Sequence, residues 1–196
     1  MPADVEWYFM GTQVRRRKNA IVIHEYASAS VPPFAALKNV VKKSINCLPD
    51  YRIFYSEYVR RQFNFSDTIP YGLRGHGILN NEPVSKKPEK YYDFIYAGNI
   101  DEKRGLDILW DCFTKGNLKN RTLLVLSKDY TKTALRLSGY KNIYFKGPVP
   151  YHQVYSCINQ CRYAINFMPN ISPFNKQVSA KFLDYTACNI PVITSD

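Results

Sequence analysis

From residue 93 onward the chain alternates apolar runs with amphipathic stretches, and this alternation restricts its possible folds more than any other feature. The runs are Asp93-Phe-Ile-Tyr-Ala-Gly98, Thr122-Leu-Leu-Val-Leu-Ser127, Asn142-Ile-Tyr-Phe-Lys-Gly147, Tyr163-Ala-Ile-Asn-Phe-Met168 and Pro191-Val-Ile-Thr194. Each is short, continuous and rich in β-formers, the pattern of a strand buried on both faces. Between them lie helical patterns over 106–113, 130–138, 152–161 and 179–188. Strand following helix in this order predicts a parallel sheet wrapped by helices, whose ligands bind outside the carboxyl ends of the strands. His24, Gly98 and Met168 are expected at such ends.

Upstream the signal is thinner. Ala20-Ile-Val-Ile-His24 reads as a buried strand, and Tyr51-Arg-Ile-Phe-Tyr-Ser56 as a second. Phe34 to Cys47 places Leu37, Val40, Val41 and Ile45 at helical spacing, with Lys38, Lys42 and Lys43 expected outward; Glu57 to Phe63 is a short helix. Residues 69–78, with three glycines and a proline, read as loop or weak strand. Residues 80–92, opening Asn-Asn-Glu-Pro-Val-Ser-Lys-Lys-Pro, have linker composition. The expected domains are therefore 1–79 and 93–196, joined by 80–92.

Composition removes several function classes. No window holds the ~18 or more uninterrupted apolar residues of a spanning helix, and the N-terminus is acidic where a signal peptide is basic. A cytoplasmic location is expected. The five cysteines, at 47, 112, 157, 161 and 188, are odd in number and scattered; Cys157 and Cys161 stand four apart inside a helical pattern. That is neither a redox pair nor a zinc half-site, so no metal is expected. The net charge of +11 calls for an anionic partner, namely nucleic acid, an acidic membrane surface or phosphorylated substrates. Apart from Arg15-Arg-Arg-Lys18 and Lys86-Lys87 the cations are spread, without a nucleic-acid-binding motif.

Three strand–helix junctions carry candidate chemistry. Gly98-Asn-Ile-Asp-Glu-Lys-Arg-Gly105 brings Lys103 and Arg104 to a helix start, a setting for phosphate, although it is neither a dinucleotide fingerprint nor a P-loop. Gly147-Pro-Val-Pro-Tyr-His-Gln-Val154 reads equally well as structural. Ser179-Ala-Lys-Phe-Leu-Asp-Tyr-Thr-Ala-Cys-Asn-Ile-Pro-Val-Ile193 opens on a good N-cap, with Phe182, Leu183 and Ala187 expected in a core and Asn189 closing the helix. Lys181 and Asp184, three apart on one face, suit a ligand with both phosphates and hydroxyls, or else form an ordinary surface ion pair.

Together these pieces resemble the donor-binding half of GT-B glycosyltransferases, in particular the retaining family numbered four. The resemblance rests on Phe94-Ile-Tyr-Ala-Gly98, Lys103-Arg-Gly105, Ile143-Tyr-Phe-Lys-Gly-Pro-Val149, Val154-Tyr155, Phe167-Met-Pro169 and Lys181-Phe-Leu-Asp-Tyr through Ile193, in order. It covers 93–196 well. Upstream, Ala20-Ile-Val-Ile-His24-Glu matches a strand whose histidine lies near the donor sugar, and Tyr55-Ser-Glu-Tyr-Val a later segment.

The resemblance implies an α/β chain of Rossmann-like parallel sheets with flanking helices, a GT-B architecture incomplete at both ends. It would hold the rear part of an acceptor-side domain and a donor domain lacking its C-terminal end. It implies transfer of a sugar from a nucleotide-sugar donor to a polysaccharide or glycolipid acceptor, with retention, without metal and with no cofactor beyond the donor. His24, Arg104 and Lys181 would be catalytic; Gly98, Asn99, Lys103, Arg104, Ser179, Lys181 and Asp184 would bind the donor. Asp184 would stand where the family has a glutamate on the ribose hydroxyls. Arg104 and Lys181 would neutralise the leaving diphosphate, a task cations perform without metal. The partners implied are the nucleotide sugar, a saccharide or lipid-linked acceptor and an anionic membrane surface on the cytoplasmic side; nucleic acid is not expected. Asn99 departs from the arginine the family often places there, and Lys176 stands eight before Asp184 where a glutamate is common. Other readings are an inactive chain that binds nucleotide or pairs with another subunit, and a basic nucleic-acid-binding module.

Overall fold

The computed structural model describes residues 4–9, 12–78, 89–100 and 104–195. Residues 80–88 of the expected linker lie outside them, and so does Lys103, whereas Tyr92, at the linker's end, already opens a strand. The chain divides into two compact units, Met1–Gly77 with Ile171–Gln177, and Ile78–Asn170 with Val178–Asp196. The segment 171–177, which sequence order puts in the second domain, thus groups with the first.

The second unit has the expected α/β order: β5 (Tyr92–Ala97), α3 (Asp107–Thr114), β6 (Leu123–Leu126), α4 (Thr131–Arg136), β7 (Ile143–Phe145), α5 (Tyr151–Asn159), β8 (Cys161–Asn166), α6 (Ala180–Ala187) and β9 (Val192–Thr194). Its strands lie in the order β7-β6-β5-β8-β9 and pair in parallel throughout. Alternate residues serve opposite faces. Phe94, Tyr96, Leu123 and Val125 join Leu109, Trp110 and Phe113 of α3 in one core, and Ile95, Leu124 and Ala164 join Ile158 of α5 and Tyr185 of α6 in the other. This two-faced burial is why the strands read as unbroken apolar runs. The strand order reverses at β5, so a crevice opens beyond the tips of β5 and its neighbours.

Two local readings are corrected here. The helix expected over 152–161 ends at Asn159, and Cys161 opens β8 instead. Cys157 and Cys161 are therefore not one turn apart on a helix; the Cys161 thiol donates to the Cys157 carbonyl at 3.3 Å across the helix–strand junction. In α6, the fully buried residue is Tyr185, whereas Phe182 and Leu183 are half-buried and Ala187 is exposed. Asn189 does close α6, with φ of 52°.

The first unit differs more from expectation. Among the described residues it holds four strands, where two were expected outright and 69–78 was read as loop or weak strand: β1 (Asp4–Phe9), β2 (Ala20–Tyr26), β3 (Tyr51–Phe54) and β4 (Tyr71–Leu73), parallel and in that order. Two helices, α1 (Ala35–Ile45) and α2 (Glu57–Phe63), accompany them. Its buried core is Tyr26, Phe54, Val59 and Phe63. α1 is turned the opposite way from the expected one. Leu37, Val40, Val41 and Ile45 are exposed, while Asn39 is buried and Lys42 and Lys43 are half-buried. Hydrogen bonds account for the inversion: Asn39 Nδ2 donates to the Gln62 carbonyl at 3.2 Å, and Lys43 Nζ to the Asn64 carbonyl at 3.2 Å. Both carbonyls lie at the C-terminal end of α2, where a cation is favoured.

Candidate functional site

Beyond the tips of β5, β6 and β7 a cleft of about 340 Å³ opens within the second unit. Gly98 and Asn99 line it after β5, Ser127 and Lys128 after β6, Gly147 to Val149 after β7, Tyr151 and Val154 from α5, and Lys181 and Asp184 from α6. Four of the expected donor-binding residues, Gly98, Asn99, Lys181 and Asp184, thus meet at one place.

Lys181 and Asp184 do not pair with each other. Lys181 turns inward: its Nζ donates to the Phe167 carbonyl beyond β8 at 3.0 Å and lies 4.5 Å from the Tyr96 ring centroid. Burial, reinforced by the nearby Arg104 charge, pulls the ammonium down to about 8. A partly desolvated ammonium within the field of a second cation is a favourable setting for an anion. Glycine at 98 keeps that spot open, because a Cβ there would stand 3.3 Å from the Tyr96 hydroxyl and 3.7 Å from Lys181 Cδ. Tyr96 itself is buried, donates to the Asn99 carbonyl at 3.0 Å and so fixes the turn after β5; burial lifts its phenol to about 12.

Asp184 turns the other way, toward α5. Its Oδ1 accepts from the Tyr151 hydroxyl at 2.8 Å and from the Tyr155 hydroxyl at 3.0 Å. Burial and these contacts raise the Tyr155 phenol well above its ordinary range. Ser179 occupies the N-cap position of α6 with extended backbone, but its side chain makes no capping hydrogen bond. The Ser179 hydroxyl therefore does not occupy the first-turn amides, an arrangement in which a helix N-terminus can receive an anion.

One bond ties this helix to the sheet. Ala97 N–H, the last amide of β5, donates to the Tyr185 hydroxyl at 2.8 Å, and Tyr185 is wholly buried. The tyrosine one residue after Asp184 thus sets the depth of α6 against the strand tip.

Gly147 shapes the opposite wall. Its φ is 77°, and a Cβ there would come within 2.9 Å of the Tyr130 ring. Gly147→Ala is expected to cost about 1–2 kcal/mol through the left-handed backbone alone, read by urea denaturation.

His24 belongs to the first unit and lies two residues inside β2, not at its end. Its ring is wholly buried, with Nε2 3.8 Å from the Cys47 thiol. Burial and the charges of Arg52 and Arg16 pull it down to about 4, so it is neutral near pH 7. The neighbouring Glu25 is also buried and accepts from Trp7 Nε1 at 2.7 Å.

Sequence reasoning passed over Tyr151, Tyr155 and Tyr96 as site residues. Their aromatic type reads as core, and only the i,i+4 spacing of Tyr151 and Tyr155, opposite a carboxylate on another helix, carried a signal.

Among the described residues no helix is long and apolar enough to cross a membrane. A glycosyl transferase-like family model matches residues 114–196. No curated protein sequence matches the chain. Among solved structures it resembles the pneumococcal O-GlcNAc transferase GtfA in complex with UDP and GlcNAc, at 13% identity and a TM-score of 0.61, over 91% of this chain and 38% of that one. It resembles sucrose-phosphate synthase from Thermosynechococcus elongatus at 16% identity and 0.63, over 90% and 50%. It also resembles a T4 phage BGT mutant in complex with UDP-glucose at 13% and 0.57, over 89% and 54%. The chain thus spans about half or less of the length of these structures. The residues matched by the family model lie mostly in the second unit, and the chain shares the Rossmann-like α/β fold of these structures.

Proposed function

We propose that the cleft binds the nucleotide-sugar donor of a glycosyltransferase that adds a sugar to a saccharide or lipid-linked acceptor, with retention and without metal. The observation that carries this reading is Lys181, a half-buried lysine whose ammonium turns into the cleft at the strand tips beside Gly98, its pKa lowered by burial and by the charge of Arg104. The diphosphate lies toward Lys181, Arg104 and the first turn of α6, with Asn99 contributing from the loop after β5; Lys103 enters through the family resemblance alone. As the sugar bond breaks, negative charge grows on the leaving diphosphate, and the preorganised cations stabilise it. Asp184 accepts from the ribose hydroxyls. His24 enters through the family resemblance; buried and neutral, it fits a hydrogen-bonding part better than a proton carrier's. The net charge of +11 supports work beside an anionic membrane surface on the cytoplasmic side, where lipid-linked acceptors sit.

Calorimetry with UDP-, GDP-, ADP- and TDP-sugars is the test. At least one is expected to bind below about a millimolar, and Arg104→Ala to weaken it roughly tenfold by loss of a charge-assisted contact. No binding by any of the four at that concentration ends the donor-site reading. Binding without sugar transfer to any acceptor leaves instead a nucleotide-binding chain, a reading favoured by the fact that every polar group lining the cleft suits holding a ligand.

A further inference from the structure

Asp184 is shorter than a glutamate, and the structure places two phenols against it. Both hydroxyls reach the same oxygen, Oδ1, at 2.8 and 3.0 Å, and are themselves 3.4 Å apart. Tyr155 is buried on the inner face of α5, while Tyr151, one turn earlier, is half exposed at the cleft wall. Among the described residues Oδ2 accepts no hydrogen bond. A carboxylate free to rotate presents its two oxygens interchangeably. One whose Oδ1 is held by two donors presents Oδ2 in a fixed direction, with its acceptor capacity unspent.

We propose that Tyr151, Tyr155 and Asp184 act as one hydroxyl-reading unit, in which the two tyrosines are positioning residues that aim Asp184 Oδ2 at the vicinal diol of the ligand's ribose. This rests on the donor-site reading. It adds that discrimination for a ribonucleotide is set by α5 as much as by α6. Tyr151 has a further part, because its hydroxyl donates to Oδ1 and keeps lone pairs facing the cleft, so a second ligand hydroxyl can donate to it. Two donors on the ligand then meet two acceptors about one carboxylate apart, a match for adjacent hydroxyls and a mismatch for none.

The test compares UDP, GDP and ADP with their 2′,3′-dideoxy forms by calorimetry on the full chain, in wild type, Tyr151→Phe, Tyr155→Phe and Asp184→Asn. The wild type is expected to prefer the diol-bearing form of whichever diphosphate binds by about tenfold or more. Each Tyr→Phe change should reduce that preference by about threefold to tenfold while leaving dideoxy affinity unchanged, since the diphosphate contacts are untouched. Asp184→Asn, which keeps the volume, should abolish it. Equal losses for both ligand forms, or an unchanged preference in both tyrosine variants, overturn the proposal while the donor site stands. Failure of all three diphosphates to bind the wild type removes this unit, while the donor site stands or falls on the panel of four nucleotide sugars. Should one tyrosine variant not fold, the other and Asp184→Asn still decide.

Discussion

Lys181→Met is expected to weaken donor binding about a hundredfold, from the loss of a charge-assisted hydrogen bond of roughly 2–3 kcal/mol in a desolvated site. Methionine keeps much of the stem's volume against the Tyr96 ring and removes the charge. The melting temperature should change little, because losing the bond to the Phe167 carbonyl is offset by removing a desolvated ammonium whose pKa burial has pulled down to about 8. The same depression predicts a pH profile. The anion-binding form is the protonated one, so affinity of the wild type should hold below pH 8 and decline as pH rises through it. A bound diphosphate favours the charged form and raises that pKa, so above pH 8 binding takes up a proton. Calorimetry at pH 8.5 in buffers of different ionisation enthalpy reads that uptake directly. A flat profile from pH 7 to 9.5 in wild type would remove Lys181 from the diphosphate site.

Tyr185→Ala should destabilise the second unit by about 3–5 kcal/mol, the range for emptying a large buried aromatic position. A fall in melting temperature of roughly 10 °C or more follows for a unit of this size. Tyr185 is fully enclosed and packs in the cluster with Ile95, Leu124 and Ile158. Tyr185→Phe separates the two contributions. It keeps the packing but leaves the Ala97 amide without its acceptor, at about 1–3 kcal/mol. Differential scanning calorimetry of the three proteins checks both; a phenylalanine variant as stable as wild type would mean the amide finds another partner.

Much of the second unit is legible in the sequence because burial on both faces makes each strand a run such as Leu123-Leu-Val-Leu126, whose shortness and place between helical patterns mark it as strand. The first unit is less legible for equally physical reasons. Asp4 to Phe9 alternates polar and apolar residues and lies at a sheet edge with one neighbour, so neither a run nor a flanking turn marks it. In α1 the periodicity of Leu37, Val40, Val41 and Ile45 locates the stripe but not its direction, which Asn39 and Lys43 decide through distant carbonyls. At the site, the three-residue spacing of Lys181 and Asp184 correctly implies a shared face. It does not reveal that Lys181 reaches Phe167 while Asp184 reaches Tyr151 and Tyr155, since those partners come from β8 and α5, far along the chain.

The bond from Ala97 to Tyr185 has a mechanical meaning as well as an energetic one. It pins the tip of β5 to the middle of α6, and Lys181 pins the start of the same helix to the chain leaving β8. Helix and strand tips are thus braced at two points, like a beam on two supports. The start and middle of α6 are thereby held to the ends of β8 and β5, so the cation and the glycine turn facing it keep their spacing.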